Sequence, residues 1–317
     1  MKRAFIFFLT ATLLALSGAF YYVKQQWLRE FKESVQETIS RGPWTGKIKI
    51  GTYDVSLIER AGLLKEVRFT EPLLDNPEVR LELAKVEEIK IKGFKSDPEF
   101  GVPLDSRVHS KGIHLILYFK ETGRRLQLSG NSWAHFHFDP RDDIFTSNTR
   151  FVSPPLVLET ELAFAKVRGV FVFLRERELE DLPLAVVLSK TAGVVPQRFF
   201  LRYEDRGLLK RLFYASCRTD CDQKWQALAQ ELRKRLQEKK DPPAWLELEE
   251  GIYQILKEGR GGFQVLIRNK HELSFKDLLF IFLGRFLNDN SLSERKHLFG
   301  EISSYFELKI EPIRPIR

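Results

Sequence analysis

The sequence lacks the short motifs that usually reveal an enzyme. The glycine cluster Gly259–Gly262 has neither the spacing nor the lysine of a phosphate-binding P-loop, and no G-x-S-x-G nucleophile motif occurs. Adjacent acidic pairs such as Glu87-Glu88 point in different directions on a helix or strand, so they are poorly placed for paired acid–base catalysis. We therefore predict that the protein is not an enzyme and that it uses no cofactor.

Cysteine is scarce, with two residues in 317, and the two are not spaced as in a C-x-x-C redox motif. Cys217 and Cys221 flank the start of a predicted helix, at a separation that suits a disulfide with about 5.5 Å between Cα atoms. An exported location would permit this bond to form. A structural disulfide is the favoured prediction, and two free thiols are the alternative.

Charge of one sign is not concentrated in any segment. The chain has 51 Lys and Arg residues against 43 Asp and Glu, a net charge of +8, and stretches such as "ELRKRLQEKKD" mix both signs. A nucleic-acid-binding protein usually gathers its cations on one face or one tail, so we expect no nucleic-acid partner. The small positive excess instead favours the anionic head groups of a nearby membrane.

Long hydrophobic runs are limited to one, at Ala4–Val23, where twenty residues carry no charge. A helix of this length spans about 30 Å, the hydrocarbon thickness of a bilayer. The cations that precede the run predict a cytoplasmic N-terminus and an exported body. The expected membrane-interface residues are Lys2, Arg3, Tyr21, Tyr22 and Trp27. We expect a single-pass protein of the inner (cytoplasmic) membrane whose body is periplasmic or otherwise extracytoplasmic.

A cleaved signal peptide is the alternative to this anchor, because Ser17-Gly18-Ala19 forms a small-x-small cleavage site. The apolar run continues past that site, which favours an uncleaved anchor. After the run, apolar side chains recur every four residues, which predicts an amphipathic stalk helix that Gly42 and Pro43 end. Residues 1–42 are therefore interpreted as the anchor and stalk.

Two further regions follow the stalk. Residues 43–177 alternate apolar and polar side chains with period two, which predicts six to eight antiparallel strands with one apolar face. Residues 178–317 mix helices and strands and continue the same body. The fold class is thus α+β, a curved antiparallel sheet with helices interleaved in the C-terminal half. The apolar sheet face is predicted to contain Leu115, Leu117, Phe119, Leu156, Leu158, Leu162 and Phe164.

The stretch "NSWAHFHFD" contains two of the six histidines, His135 and His137, on the same side of a predicted strand. Two such residues can share a metal ion, but a zinc site needs three or four ligands, and the other histidines form no complementary pair. We interpret the stretch as an ordinary strand. A metal-dependent hydrolase built on these two histidines is retained as an alternative.

A short sequence pattern from Tyr203 to Arg211 contributes to a resemblance to known proteins. A strand carrying Tyr203 and Asp205 is followed by Gly207, Leu208 and Arg211 at the start of a helix. Together with the N-terminal run and the stalk, this arrangement resembles the YdgA/YihF-like envelope proteins of bacteria and, more loosely, the AsmA-like superfamily. The resemblance implies a membrane anchor, a β-rich extracytoplasmic body and a role in envelope maintenance or lipid traffic, with no catalytic residues.

Two functions of different classes follow from these expectations. In the first, the apolar sheet face holds or guides a lipid or another envelope component. In the second, the body is a scaffold that binds an envelope protein, with its core closed and an exposed apolar patch elsewhere. The sequence leaves open whether the helices of the protein cover the apolar face.

Overall fold

The computed structural model of the chain describes the backbone of residues 2–40, 45–95, 97–176, 184–238, 243–278, 280 and 304–314. Side chains are described for the same residues except 2–19, 83–84, 174–176, 184–185 and 187–188. The side chains of most of the predicted membrane segment, including Lys2 and Arg3, therefore lie outside the described residues. Gly42 and Pro43, the predicted end of the stalk, lie outside them as well.

The elements form an α+β fold in which β1 to β9 follow the first helix in succession, and further helices are interleaved with the last strands. The helices are α1 (Lys2–Ser40), α2 (Arg168–Glu176), α3 (Leu184–Thr191), α4 (Leu208–Ser216), α5 (Cys221–Glu238) and α6 (Pro243–Glu258). The strands are β1 (Ile48–Lys49), β2 (Thr52–Ser56), β3 (Ala61–Phe69), β4 (Leu74–Asp75), β5 (Val79–Lys92), β6 (Asp105–Phe119), β7 (Arg124–Asp139), β8 (Ile144–Ser153), β9 (Leu156–Ala165), β10 (Val195–Asp205), β11 (Gly261–Asn269) and β12 (Phe306–Ile313).

All of these strands belong to one open antiparallel sheet, in the order β1-β3-β5-β6-β7-β8-β9-β10-β11-β12, with β2 beside β3 and β4 beside β5. The predicted α+β class and antiparallel sheet are confirmed. In the first half the sheet has seven strands of five or more residues, within the predicted range, and two strands of only two residues. Strands β10 to β12 extend the same sheet, so the β-rich and mixed regions share it.

One face of the sheet is apolar and carries helices. The second half of α1 crosses it at β2 and β3, where Phe31 is completely buried among Val55, Leu64 and Val67. At the next strands α4 packs its Leu208 against Leu128, among other apolar side chains of the sheet. Since a strand points successive side chains to opposite faces, the residues between these apolar positions form a second, polar face.

At one point in the sheet, side chains stop alternating regularly between its two faces. Strand β6 contains a bulge, because Lys111 and Gly112 together oppose Asn131 of β7, and the register shifts between Ser110 and Ile113. Gly112 has a φ of 59°, which favours glycine, and its amide donates a hydrogen bond to the Asn131 side chain at 3.1 Å. Because of the bulge, Val108 before it lies on the same face of the sheet as Leu115 and Leu117 after it.

Candidate functional site

The polar face of strands β5 to β10 forms an open groove of about 600 Å³. We call it the Trp133 groove, because the Trp133 side chain stands in it and is 40% exposed. Side chains that line it on this face include Lys90, Lys92, Arg107, His109, Trp133, His135, Asn148, Arg150, Glu159, Glu161 and Phe200.

Strand register decides which side chains meet in the groove. His109 of β6 lies directly opposite Trp133 of β7, and Trp133 lies opposite Arg150 of β8. Neighbouring strands are about 4.8 Å apart, so such side chains are within contact distance. The groove is therefore built from residues far apart in the sequence that the meander brings into one row.

The His109 and Trp133 rings are stacked, with their centroids 4.9 Å apart and their planes 16° from parallel. Burial lowers the pKa of His109 below its usual value of 6.5, and the cations Lys111 and Lys90 lower it further. His109 is therefore neutral at pH 7. Its Nε2 atom is buried and has no hydrogen-bond partner within the part of the chain that the structure describes. The pair forms a flat platform that leaves part of the indole open to solvent.

A second row of side chains runs beside this platform and consists of hydrogen-bond donors. Lys92 of β5 pairs in register with Arg107 of β6, Arg107 with His135 of β7, and His135 with Asn148 of β8. We call these four residues the donor row. Like charges directly opposite on neighbouring strands repel each other, so Lys92 and Arg107 favour an anion between them. No carboxylate forms an ion pair with Lys92 among the described residues.

The acidic side chains of the groove are already paired with arginines. Glu159 lies 2.9 Å from Arg150 and 3.8 Å from Arg202, and Glu161 lies 3.0 Å from Arg198. These ion pairs occupy the far side of the groove, at β8 to β10. The donor row on β5 to β8 is thus the part of the groove that is suited to an anionic ligand.

The structure places His135 and His137, the two histidines of the alternative metal site, next to an aspartate that the sequence analysis did not single out. His135 Nε2 lies 2.9 Å from Asp105 Oδ2, and His137 Nδ1 lies 3.6 Å from the same oxygen. The hydrogen bond from His135 lowers the pKa of the Asp105 carboxyl. Within the described part of the chain, no group of three or more His, Cys, Asp or Glu side chains is arranged to hold a metal ion.

The predicted apolar sheet face is largely packed under helices. Leu115, Leu117, Leu156 and Leu158 lie in one cluster with Leu208 and Leu212 of α4. Phe164 packs in another cluster with α2, and Phe119 is buried. Leu162 is half-buried and belongs to neither of these clusters. These seven residues therefore do not form one open groove for acyl chains among the described residues.

The remaining predicted site residues are found at α1 and between α4 and α5. Cys217 and Cys221 form a disulfide that links the end of α4 to the start of α5, with 5.8 Å between Cα atoms. Tyr21 and Tyr22 are exposed. The Trp27 ring instead packs edge-on against the Phe94 ring of the body, with 6.2 Å between the ring centroids. Of the helices whose side chains the structure describes, none is long and apolar enough to cross a membrane.

Comparison with known proteins adds no family to these observations. No protein-family model matches the chain, and no curated protein matches it significantly.

Proposed function

We propose that the protein is a membrane-anchored extracytoplasmic binding protein, not an enzyme, and that its Trp133 groove holds an anionic group of a lipid or another envelope component. The observation that carries this proposal is the donor row. Lys92, Arg107, His135 and Asn148 lie side by side next to an exposed indole ring. Their one carboxylate neighbour among the described ion pairs is Asp105, which lies 3.6 Å from Arg107 and 2.9 Å from His135, so the cations Lys92 and Arg107 outnumber it. A phosphate or carboxylate on this row would accept charge-assisted hydrogen bonds while an attached ring or chain lies on Trp133.

The proposed location rests on the N-terminal run and on the disulfide. The uncharged residues Ala4–Val23 follow two cations, as in an anchor whose N-terminus stays in the cytoplasm. The described end of that run, Phe20–Val23, exposes its side chains, as aromatic residues do at a membrane interface. The Cys217–Cys221 disulfide suits an oxidising compartment outside the cytoplasm.

The polar face supports a different mode of lipid handling from the one that the apolar sheet face suggested. Leu115 and Leu158 pack in one cluster with Leu208 and Leu212 of α4, so this helix covers part of the apolar face. The donor row is open without any rearrangement of the described residues. The proposed ligand is therefore recognised by its anionic head and not by its hydrocarbon.

This proposal predicts a specific loss of anion binding in Arg107→Gln. The full-length protein in a non-ionic detergent is titrated with inorganic phosphate and with glycerol 3-phosphate, and tryptophan fluorescence is followed. We expect the dissociation constant to rise at least about tenfold, because a charge-assisted hydrogen bond contributes about 1.5–3 kcal/mol. Trp133→Phe should remove the change in tryptophan fluorescence that the added anion causes.

Arg268→Gln is the matched control, because Arg268 is also an exposed sheet arginine with one carboxylate partner at 3.6 Å. Arg107 has the same kind of partner at the same distance, in Asp105. The control should leave the dissociation constant unchanged. A saturable response that is equal in the wild type and in Arg107→Gln, or no saturable response to either compound, would contradict an anion site in the groove.

A scaffold function is the second candidate, and one observation favours it. An apolar groove of about 440 Å³ lies between α4, α5 and α6. Leu209, Leu212 and Ile252 line it, and Leu228 is exposed at its side. A groove of this kind fits the apolar side chains of a partner helix. Recovery of an envelope protein that binds wild-type protein but not Leu228→Glu would support this function.

A further inference from the structure

We propose that one end of the sheet rests on the membrane and inserts apolar side chains into the lipid interface. This inference rests on the proposed membrane anchor and adds a second, peripheral contact to it. The end in question is the one where α1 meets the sheet, and we call it the α1 rim. It includes the turn 57–60 and the described residues that directly follow β5, β7, β9 and β11.

Topology places these connections together. In an antiparallel sheet whose strands are joined in succession, connections alternate between the two ends. The turn 57–60 joins β2 to β3, and the described residues after β11 return to the same end of the sheet. Contacts agree with this placement, because the Phe275 amide donates to the Val194 carbonyl at 2.9 Å, just before β10 begins. The turn around Leu74 lies at the opposite end.

Helix α1 enters the body at this rim. Lys24 lies 2.9 Å from Asp54, and Trp27 packs against Phe94, which follows β5. The helix is uninterrupted from Lys2 to Ser40, so no flexible linker separates the uncharged run from the body. Trp27 lies four residues after Val23 on the helix, a rise of about 6 Å. If Ala4–Val23 spans the bilayer, the rim lies at the level of the lipid head groups.

The rim exposes apolar side chains that water does not favour. Ile58, in the turn between β2 and β3, is 91% exposed, and Phe280 is 63% exposed. Phe275, five residues before Phe280 in the chain, is exposed as well. Lys276 places its ammonium group 5.9 Å from the Phe280 ring, an arrangement typical of the interface, where the cation reaches the head groups while the ring lies deeper.

The lipid surface is the partner that these positions fit. Seven of the eleven exposed large hydrophobic residues of the described chain lie at this end or on the adjoining turn of α1. They are Phe20, Tyr21, Tyr22, Val23, Ile58, Phe275 and Phe280. Apolar side chains on the same side of the body as a membrane helix need no second protein to cover them, because the bilayer is within reach.

The test compares two exposed aliphatic residues at opposite ends of the sheet. Ile58→Cys and Leu74→Cys are each labelled with an environment-sensitive fluorophore in the full-length protein, without reductant, so that the native disulfide is kept. Leu74 is the matched control because it is 50% exposed, also in a connection between strands, and about 30 Å from the rim, the length of β3. Both variants are reconstituted into phospholipid vesicles that contain spin-labelled lipids.

We expect a blue-shifted emission and several-fold stronger quenching at position 58 than at position 74. Equal, water-like emission at both positions would overturn rim insertion. Alkaline carbonate extraction of the same vesicles separates this failure from that of the proposed anchor. Protein that stays in the membrane with position 58 in water refutes only the rim contact, whereas protein released by carbonate refutes the anchor and, with it, the proposal that rests on it.

Discussion

Replacing Phe31 by alanine is expected to lower the free energy of unfolding by about 4 kcal/mol, in the range for deleting a fully buried aromatic ring. The Phe31 side chain is 0% exposed and packs against Phe94 with 4.9 Å between ring centroids. Gly62 lies directly beneath the ring, since a Cβ at that position would come within 2.2 Å of it. Gly62 therefore has no side chain with which to fill the space that the ring leaves.

Chemical denaturation of the full-length protein in detergent measures this loss. Phe20→Ala is the matched control, because it removes the same ring from the same helix at an exposed position and should change the free energy of unfolding by less than about 0.5 kcal/mol. Limited proteolysis provides a second readout, since a detached α1 becomes cleavable between Trp27 and Ser40. Equal stability of the two variants would show that α1 does not pack on the sheet.

Asp205→Ala should be nearly as damaging, for a different physical reason. Asp205 is 1% exposed, and its carboxylate accepts hydrogen bonds from the Gly207 amide at 2.7 Å, the Leu209 amide at 2.8 Å and the Tyr203 hydroxyl. Alanine would leave three part-buried donors without this acceptor. At about 1–3 kcal/mol for each unsatisfied group, we expect a loss of about 4 kcal/mol.

Asp222→Ala tests whether burial causes this loss. Asp222 also accepts a hydrogen bond from a tyrosine hydroxyl, that of Tyr214, but at an exposed site. Its removal should cost about 1 kcal/mol or less. Thermal unfolding of both variants provides the comparison. Similar midpoints for Asp205→Ala and Asp222→Ala would mean that the Asp205 carboxylate does not hold β10 to α4.

The contacts of Asp205 also explain the local sequence pattern from Tyr203 to Arg211. Asp205 joins the end of β10 to the first turn of α4. Gly207 between them has a φ of 109°, a backbone angle that residues with a Cβ atom rarely adopt. Burial raises the pKa of Tyr203 far above its usual range, so its hydroxyl stays protonated and continues to donate. The pattern is accounted for by the strand-to-helix junction and requires no ligand.

Much of the fold could be predicted because it depends on local periodicity. Alternation in "GIHLILYF" marks β6 and its apolar face, and the four-residue spacing of Trp27, Phe31 and Val35 marks the side of α1 that packs on the sheet. These signals depend only on where successive side chains point on a strand or a helix. They do not depend on which distant segment packs against them.

The candidate site could not be predicted in the same way, because it depends on register. Lys92, Arg107, His135 and Asn148 come from four strands, and a shift of one residue would send the shifted side chain to the other face. The bulge at Gly112 sets part of that register, and no rule of sequence spacing places Asp105 beside His135. The covering of Leu158 by α4 is likewise a tertiary contact that alternation alone does not indicate.

The two proposals are linked through the position of the donor row. Lys92 is the last residue of β5 and Arg107 lies near the start of β6, so this row lies beside the α1 rim. A protein whose rim rests on the membrane would hold the donor row close to the head groups. A phospholipid phosphate is then the nearest anion, and an acidic soluble envelope component is the other source of the same chemistry.

Native mass spectrometry of the full-length protein, purified from membranes in a mild detergent without delipidation, tests the central claim most directly. We predict an adduct with the mass of an anionic compound on the wild type and on Arg268→Gln, and its loss from Arg107→Gln. A phospholipid mass would identify a lipid head group as the ligand, and a lipid-free acidic mass would identify another envelope component. A bare mass for the wild type, or an adduct that Arg107→Gln retains in full, would contradict the account.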